Sequence, residues 1–408
     1  MKISVFTLGC KVNQIESHAV AQMLAGMGHE AVEGLCAADL YILNTCAVTK
    51  EAERKSRQVL SKAARLSPAA EVVVLGCAGK LDAAAFSARA NVSAVLTDND
   101  KVAAVRALMQ SKSIESGSEN ADFEFAPAKT RAFIKVQDGC NHFCSYCIVP
   151  YLRGRAVSRP LADCVAEARG IHAKEVVLSG INLSAYKVPE GGLEVLIPAV
   201  AEAANARVRL TSLEAGVITR SLLDTLAATR FCPHFHLSLQ SGSAGVLKRM
   251  NRRYTPSEYA QRVRLIRSVF PSAGITTDVI AGFPEETEDE HSETLAFIQA
   301  VGFSDIHVFP YSERPGTPAA ACRQVPIEVR RRRAAEIEEA ARAMTAAFLG
   351  GQCGTAHEVL TEEAVEGFMT GYTENYIRVA LPAHVPAGRL VRVRLTQPYK
   401  NGAKGELL

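Results

Sequence analysis

Phe133-Ile134-Lys135-Val136-Gln137-Asp138-Gly139-Cys140-Asn141-His142-Phe143-Cys144-Ser145-Tyr146-Cys147 is the stretch on which the reading of this chain turns. An apolar run suited to a strand ends in the turn pair Asp138-Gly139, and three cysteines follow with a three-residue and then a two-residue gap. Thiolates are soft ligands that select copper(I), zinc or iron–sulfur clusters. Structural zinc sites pair two Cys-x-x-Cys halves into four ligands, and no second half follows here. Three thiolates around one centre leave a fourth position open. That fits a cubane cluster with one unliganded iron better than zinc, and a metal-free cysteine-rich loop is the bland alternative.

An open iron can chelate a small molecule that brings amino and carboxylate groups. The Cys140-x-x-x-Cys144-x-x-Cys147 spacing resembles that of the radical S-adenosylmethionine (SAM) superfamily, in which that molecule is SAM. The resemblance implies one-electron cleavage of the sulfonium to a 5′-deoxyadenosyl radical. The cofactor carries that chemistry, and the protein supplies position and exclusion of solvent.

At 408 residues the chain is long enough for two or three domains. Its apolar and charged fractions are those of an ordinary soluble protein. Met1-Lys2-Ile3-Ser4-Val5-Phe6 reads as a first strand rather than a signal peptide. No apolar run approaches the roughly 20 residues of a membrane helix, so the expected location is cytoplasmic, without a membrane partner. Eleven cysteines without an export signal point to metal binding or catalysis rather than disulfides. A net charge of +3 permits an RNA partner without requiring one.

Residues 1–112 alternate apolar strands (Ile3–Thr7, Leu40–Asn44, Val72–Leu75, Val92–Leu96) with helical stretches, which predicts an open, mostly parallel α/β sheet. Residues 113–128 turn polar and irregular, as a linker does. A second series, with strands at 132–137, 175–179, 207–212, 235–239, 275–281 and 304–310, fills residues 129–343. Six βα units predict a partial (β/α)6 barrel rather than a closed one of eight. The cysteine loop follows the first of these strands, at the C-terminal mouth where such folds build their sites. After a helix at about Glu328–Leu349, residues 344–408 read as a small all-β barrel with strands at His357–Leu360, Tyr376–Leu381 and Leu390–Leu395.

Three more cysteines stand just past strands of the first domain: Cys10 after Thr7-Leu8-Gly9, Cys46 after Asn44-Thr45 and Cys77 after Leu75-Gly76. Parallel strands put these ends on one rim, where open α/β sheets bind ligands. Gly9 and Gly76 would let the backbone crowd something bulky there. Spacing leaves two readings open, a second three-cysteine cluster or thiols buried as small hydrophobes.

Thr7-Leu8-Gly9-Cys10-Lys11-Val12-Asn13-Gln14, Asn44-Thr45-Cys46-Ala47-Val48-Thr49, and Asp138-Gly139-Cys140 through Tyr151-Leu152-Arg153-Gly154-Arg155 resemble the methylthiotransferase family. So do Leu239-Gln240-Ser241-Gly242-Ser243 with Lys248–Arg252, and Asp278–Pro284. The match runs over essentially the whole chain. It implies an auxiliary 4Fe–4S cluster on Cys10, Cys46 and Cys77, a SAM-binding 4Fe–4S cluster on Cys140, Cys144 and Cys147, and a catalytic part for all six. The C-terminal barrel, with Gly371-Tyr372-Thr373-Glu374-Asn375-Tyr376, resembles the TRAM RNA-binding module. The implied reaction replaces an aromatic C–H by C–S–CH3 and uses two SAM molecules and a cluster-held sulfur. It also implies an external electron donor such as flavodoxin or ferredoxin, and a sulfur donor. Gly180 and Asn182 resemble the family's turn near the methionyl amino group. Ser212 and Glu214, Gln240 and Ser241, and Asp278 with Gly282 lie on or after successive strands at the same mouth and are candidate SAM contacts.

The Cys10 segment and Gly371–Tyr376 look most like the subgroup acting on tRNA N6-threonylcarbamoyladenosine next to the anticodon, at its C2 position. The family's other substrates are isopentenyladenosine in tRNA and a ribosomal-protein aspartate. A non-enzyme alternative is an iron–sulfur redox sensor that binds RNA. Lys248–Tyr254 and Arg153, Arg155 and Arg159 are candidate RNA contacts, weighed against solvated charge. Arg330–Arg333 reads as surface charge paired with Glu336, Glu338 and Glu339 on the same helix. His234-x-His236 reads as a core pair rather than a metal site, and Cys36, Cys164, Cys232, Cys322 and Cys353 as core or surface thiols.

Overall fold

The computed structural model describes residues 1–112 and 130–408, and the expected linker at 113–128 lies outside them. Strands β1 (Lys2–Thr7), β2 (Glu30–Glu33), β3 (Leu40–Thr45), β4 (Glu71–Leu75) and β5 (Val92–Val95) form one parallel sheet in the order β2-β1-β3-β4-β5. The sequence does not announce β2, whose two apolar residues sit between glutamates at the sheet edge. In β3 and β4, Tyr41, Leu43, Val72 and Val74 pack on Val59, Leu60 and Ala63. Leu40, Ile42, Val73 and Leu75 pack on the opposite face with Val20, Leu24, Val105 and Met109. Covered on both faces, these strands read as continuous apolar runs. The strand order reverses between β1 and β3, which opens a crevice beyond their carboxyl ends.

The central unit holds β6 (Arg131–Asp138), β7 (Val157–Ser158), β8 (Glu175–Gly180), β9 (Arg207–Leu210), β10 (His234–His236), β11 (Gly274–Ala281) and β12 (Asp305–Pro310). β6, β8 and β9 are parallel neighbours, as are β10, β11 and β12. Isolated parallel bridges Val208–Phe231 and Leu213–Leu237 join the two groups. The result is the expected six-stranded partial barrel, with β7 added antiparallel at the β6 edge. The helix Ile327–Gln352 packs on β11 and β12 and reaches the last unit.

That unit is a closed barrel of β13 (Ala356–Val365), β14 (Phe368–Thr373), β15 (Arg378–Pro382), β16 (Leu390–Tyr399) and β17 (Gly402–Leu407), in the order β13-β14-β15-β17-β16. The sequence pattern shows three of these five. β14 and β17 are broken by glycines that closure requires: a Cβ on Gly371 would lie 2.3 Å from Leu360 O, and one on Gly405 2.3 Å from Val393 Cγ1. The strand expected from Tyr376 begins only at Arg378, because Tyr376 is left-handed, with φ +73°.

The small barrel covers the N-terminal ends of the central strands. Fully buried Glu175, at the start of β8, accepts hydrogen bonds from Arg207 Nε and Arg209 Nε, both at 2.8 Å, and pairs with Arg131 at 2.7 Å. Arg207 also donates to Tyr372 O (3.3 Å), and Arg209 to Thr373 O and Glu374 O, both at 3.1 Å. Tyr376 stacks on His234 with ring centroids 4.5 Å apart, and Arg209 lies 4.7 Å above its ring. The Gly371–Tyr376 segment, from the end of β14 into the turn after it, thus docks the small barrel. Burial alone would raise the Glu175 carboxyl, but Arg209, Arg207 and Arg131 hold it at about 2. No described helix is long and apolar enough to cross a membrane.

Candidate active site

Cys140 follows β6 through Gly139, whose φ is +69° and whose Cβ, if present, would meet Arg155 O at 2.0 Å. Cys140 N donates to Gly154 O (3.1 Å), Ser145 N to Met250 O (3.1 Å) and Asn251 Nδ2 to Phe143 O (3.1 Å), so the loop is held from two sides. Cys140 Sγ accepts from His142 N at 3.5 Å and Asn182 Nδ2 at 3.7 Å, and Cys144 Sγ from Arg252 Nη1 at 3.3 Å. Hydrogen bonds of this kind favour the thiolate form. Burial acts the other way, pushing the Cys147 thiol up to about 12 and raising Cys140. Binding a metal centre there is therefore coupled to proton release.

Cys10, Cys46 and Cys77 stand at the carboxyl ends of β1, β3 and β4, so the topology brings the second set to one rim. What crowds Gly9 (φ +112°) is Cys46 itself, since an added Cβ would lie 2.6 Å from Cys46 Cβ and 2.8 Å from its Sγ. Burial raises the Cys46 thiol to about 11 and also lifts Cys10.

A cavity of about 460 Å³ is shared by Cys10 of the second set and all three cysteines of the first. Cys10, Lys11, Val12, Val48 and Thr49 form one wall, and Cys140, Cys144 and Cys147 with the ends of the barrel strands form the rest. Gly180, Asn182, Ser212, Glu214, Gln240 and Asp278 all line it, as the sequence suggests; Cys46, Cys77, Ser241 and Gly282 do not, Gly282 packing on Arg330. Ser241 is buried in its own turn, with Oγ 3.1 Å from Thr294 Oγ1 and accepting Ser243 N–H at 3.2 Å.

Glu214 is the ionised centre of the lining. Burial would raise it, but a contact with His142 (3.5 Å) and a 2.7 Å pair with Arg252 hold it below the ordinary carboxylate range. Asp278 is likewise held well below that range, against burial, by His236 Nε2 and His307 Nδ1, each 3.2 Å from a carboxylate oxygen. Gln137, which carries no sequence signal, braces the Gly180 turn. Its Oε1 accepts Asn182 N–H at 2.8 Å while Nε2 donates to Gly139 O at 2.7 Å. Tyr146, Arg252, Phe309 and Tyr311 complete the walls. Proximity to the cysteine motif could have flagged Tyr146; Arg252 stands in the Lys248–Tyr254 stretch, which reads in sequence as an RNA contact, and nothing local flags Phe309 or Tyr311.

Several expected RNA contacts are instead engaged by other groups of the chain, and Arg252 and Arg153 are buried. Arg252 is buried against Glu214 and Cys144, and Tyr254 Oη donates to Ser238 O (2.7 Å) and Leu239 O (2.6 Å). Arg249 pairs with Glu290, and Arg159 with Glu167, each at 2.6 Å. Arg153 is buried with Glu16 and Asp138. In the Arg330–Arg333 run, Arg332 pairs with Glu336 as expected, but Arg330 and Arg333 are buried and reach Tyr311 O and Glu286. Apart from Arg159–Glu167 and Arg332–Glu336, these contacts join distant segments, which no local charge pattern shows. The His234-x-His236 pair also divides: His234 is core, whereas His236 faces Asp278.

Among the described residues only His236, Asp278 and His307 bring three ligand atoms within 4.8 Å of one another. Three thiolates on one tetrahedral zinc would lie about 3.8 Å apart, given Zn–S near 2.3 Å. Neither cysteine set is that tight. Three soft donors spread wider than a single zinc ion requires, with N–H groups aimed at two sulfurs of the Cys140 set, fit an iron–sulfur cluster.

Residues 2–97 match an uncharacterized protein family, UPF0004, and residues 134–298 match the radical SAM superfamily. The threonylcarbamoyladenosine tRNA methylthiotransferase MtaB of Chlamydia pneumoniae is 37% identical over 98% of this chain and 97% of its own. A tRNA-2-methylthio-N(6)-dimethylallyladenosine synthase of Syntrophobacter fumaroxidans is 32% identical over 99% of this chain and 95% of its own. In fold, the chain is similar to the radical S-adenosylmethionine methyltransferase TsrM of Kitasatospora setae. The TM-score is 0.54 at 13% identity, over 78% of this chain and 75% of that one. By sequence, the chain belongs to the radical SAM tRNA methylthiotransferase family.

Proposed function

We propose that this enzyme converts N6-threonylcarbamoyladenosine in tRNA, next to the anticodon, to its 2-methylthio derivative. The observation that carries the reading is the single cavity faced by Cys10 on one side and by Cys140, Cys144 and Cys147 on the other. A methylthio transfer needs a site for hydrogen removal and a sulfur donor within reach of one substrate carbon, and a shared cavity supplies that. Relatives named for threonylcarbamoyladenosine, from Chlamydia pneumoniae and Bacillus subtilis, support this substrate. Relatives named for dimethylallyladenosine, at 32% and 34% identity, keep the isopentenyl base as the second reading.

As a radical SAM methylthiotransferase the chain uses SAM, a 4Fe–4S cluster and the family's additional cluster. In this proposal Cys140, Cys144 and Cys147 hold the first and Cys10, Cys46 and Cys77 the second. When bound, these groups supply radical hydrogen abstraction and sulfur. The chain's own residues do the rest. Glu214, held below the ordinary carboxylate range by His142 and Arg252, offers a carboxylate to a cationic sulfonium ligand. Asn182 and Gly180, fixed by Gln137, present the turn beside Cys140. Tyr146, Phe309 and Tyr311 give the cavity aromatic walls. An external electron donor and a sulfur source complete the stoichiometry.

Nucleoside mass spectrometry of bulk tRNA from cells with and without the gene tests the reading. Loss of 2-methylthio-threonylcarbamoyladenosine, with its precursor accumulating, is expected. Loss of the isopentenyl analogue instead would establish the second reading, and no change in either would overturn both.

A further inference from the structure

A buried group of ions lies behind the cavity, between the two cysteine sets. Arg153 Nη1 donates to Glu16 Oε1 at 2.8 Å and to both Asp138 oxygens at 3.2 Å, and Nη2 donates to Asn13 Oδ1 at 2.8 Å. Lys135 Nζ reaches the same two acids, at 2.7 Å and 2.6 Å. The Arg153 and Glu16 side chains are only 4% and 6% exposed.

Each end of this group is tied to a cysteine. Asn13 Nδ2 donates to Leu8 O and Thr45 O, both at 3.1 Å, and these residues lead into Cys10 and Cys46. Asn13 Oδ1 is also the 3.7 Å partner of Cys10 Sγ. At the other end, Asp138 Oδ1 accepts Gly139 N–H at 2.7 Å, and Gly154, next to Arg153, accepts Cys140 N–H at 3.1 Å. One guanidinium therefore connects the ends of β1 and β3 to the start of the Cys140 loop. Two cations against two carboxylates are balanced, and burying such a group is weak grounds for stability. What it fixes is geometry, because a planar fork bonds several acceptors in set directions.

We propose that Arg153 is a positioning residue that sets the separation of the two cysteine sets across the shared cavity. This rests on the two-cluster reading above for its functional consequence, but the separation is measurable without clusters. In the full-length metal-free chain, a short bis-maleimide should bridge Cys10 to the Cys140 loop, with the bridge mapped by peptide mass spectrometry. Arg153→Met should lower the yield about tenfold, since charge-assisted hydrogen bonds of this kind are lost, and Arg153→Lys should restore it only in part. An unchanged yield in Arg153→Met overturns the proposal. If that variant does not fold, Asp138→Asn takes its place, with the same drop expected and the same unchanged yield overturning it.

In the holoenzyme, Arg153→Met should form roughly tenfold more 5′-deoxyadenosine per methylthio product than the parent, by the same loss of hydrogen bonds. A merely structural role would lower both products together, and that result also overturns the proposal. Cys46→Ala separates the two readings. Full iron content and retained methylthio transfer in that variant would sink the two-cluster assignment, while the bridging yield would still decide the role of Arg153.

Discussion

The two ends of the central barrel are made by the same strands and use charge in opposite ways. At the strand starts, Arg131, Arg207 and Arg209 close on Glu175, and the small barrel caps them with backbone carbonyls. At the strand ends, Gly180, Asn182, Ser212, Glu214 and Gln240 face an open cavity beside three thiols. One end consumes its charge in docking, and the other keeps polar atoms for a ligand. The difference follows from the fold, because a parallel barrel gathers its loops, and hence its chemistry, at the carboxyl ends.

Four measurements test that contrast. The largest effect belongs to the cavity end: Cys144→Ala should abolish 5′-deoxyadenosine formation from SAM under reducing conditions while leaving the metal-free chain folded by circular dichroism. The opposite end should behave in reverse. Glu175→Ala leaves three arginines around a vacated buried site and should cost about 3–5 kcal/mol in urea unfolding. Its rate of SAM cleavage per folded molecule should stay within roughly twofold, as distant sites act independently.

A pH titration refines this second result. Glu175 is depressed from 4.5 to about 2 in the folded chain, so its stabilising effect is present above the ordinary carboxylate value. It should fade as pH falls from there through about 2, where folded and unfolded states are both protonated. The stability gap between the parent and Glu175→Gln should therefore narrow over that window and stay constant above it. The smallest effect is expected for Tyr376→Leu, which removes the ring stacked on His234. It should cost about 0.5–1.5 kcal/mol beyond burial, read as a lowered urea midpoint without change in SAM cleavage.

The contrast also explains which expectations about charge failed. Arg153, Arg249 and Arg252 look like surface cations in sequence because their partners, Glu16, Glu290 and Glu214, are 137, 41 and 38 residues away. Gln137 is silent for the same reason: its acceptor role toward Asn182 spans 45 residues. Glycines, by contrast, misled only locally. Gly371 and Gly405 hid two strands that depend on them for close approach.

What the sequence by itself determined is the periodic and the covalent: alternating apolar strands and helices, six βα units, and two sets of three cysteines, each placed after a strand. Strand periodicity and ligand spacing are local properties, legible without coordinates. It takes the folded chain to bring Cys10 and the Cys140 loop to one cavity, to set His142 and Arg252 against Glu214, and to dock Gly371–Tyr376 on the central barrel. Those facts depend on groups far apart in the chain meeting at low dielectric. Partner and burial together determine what each charge does there, and neither is written in the neighbouring residues.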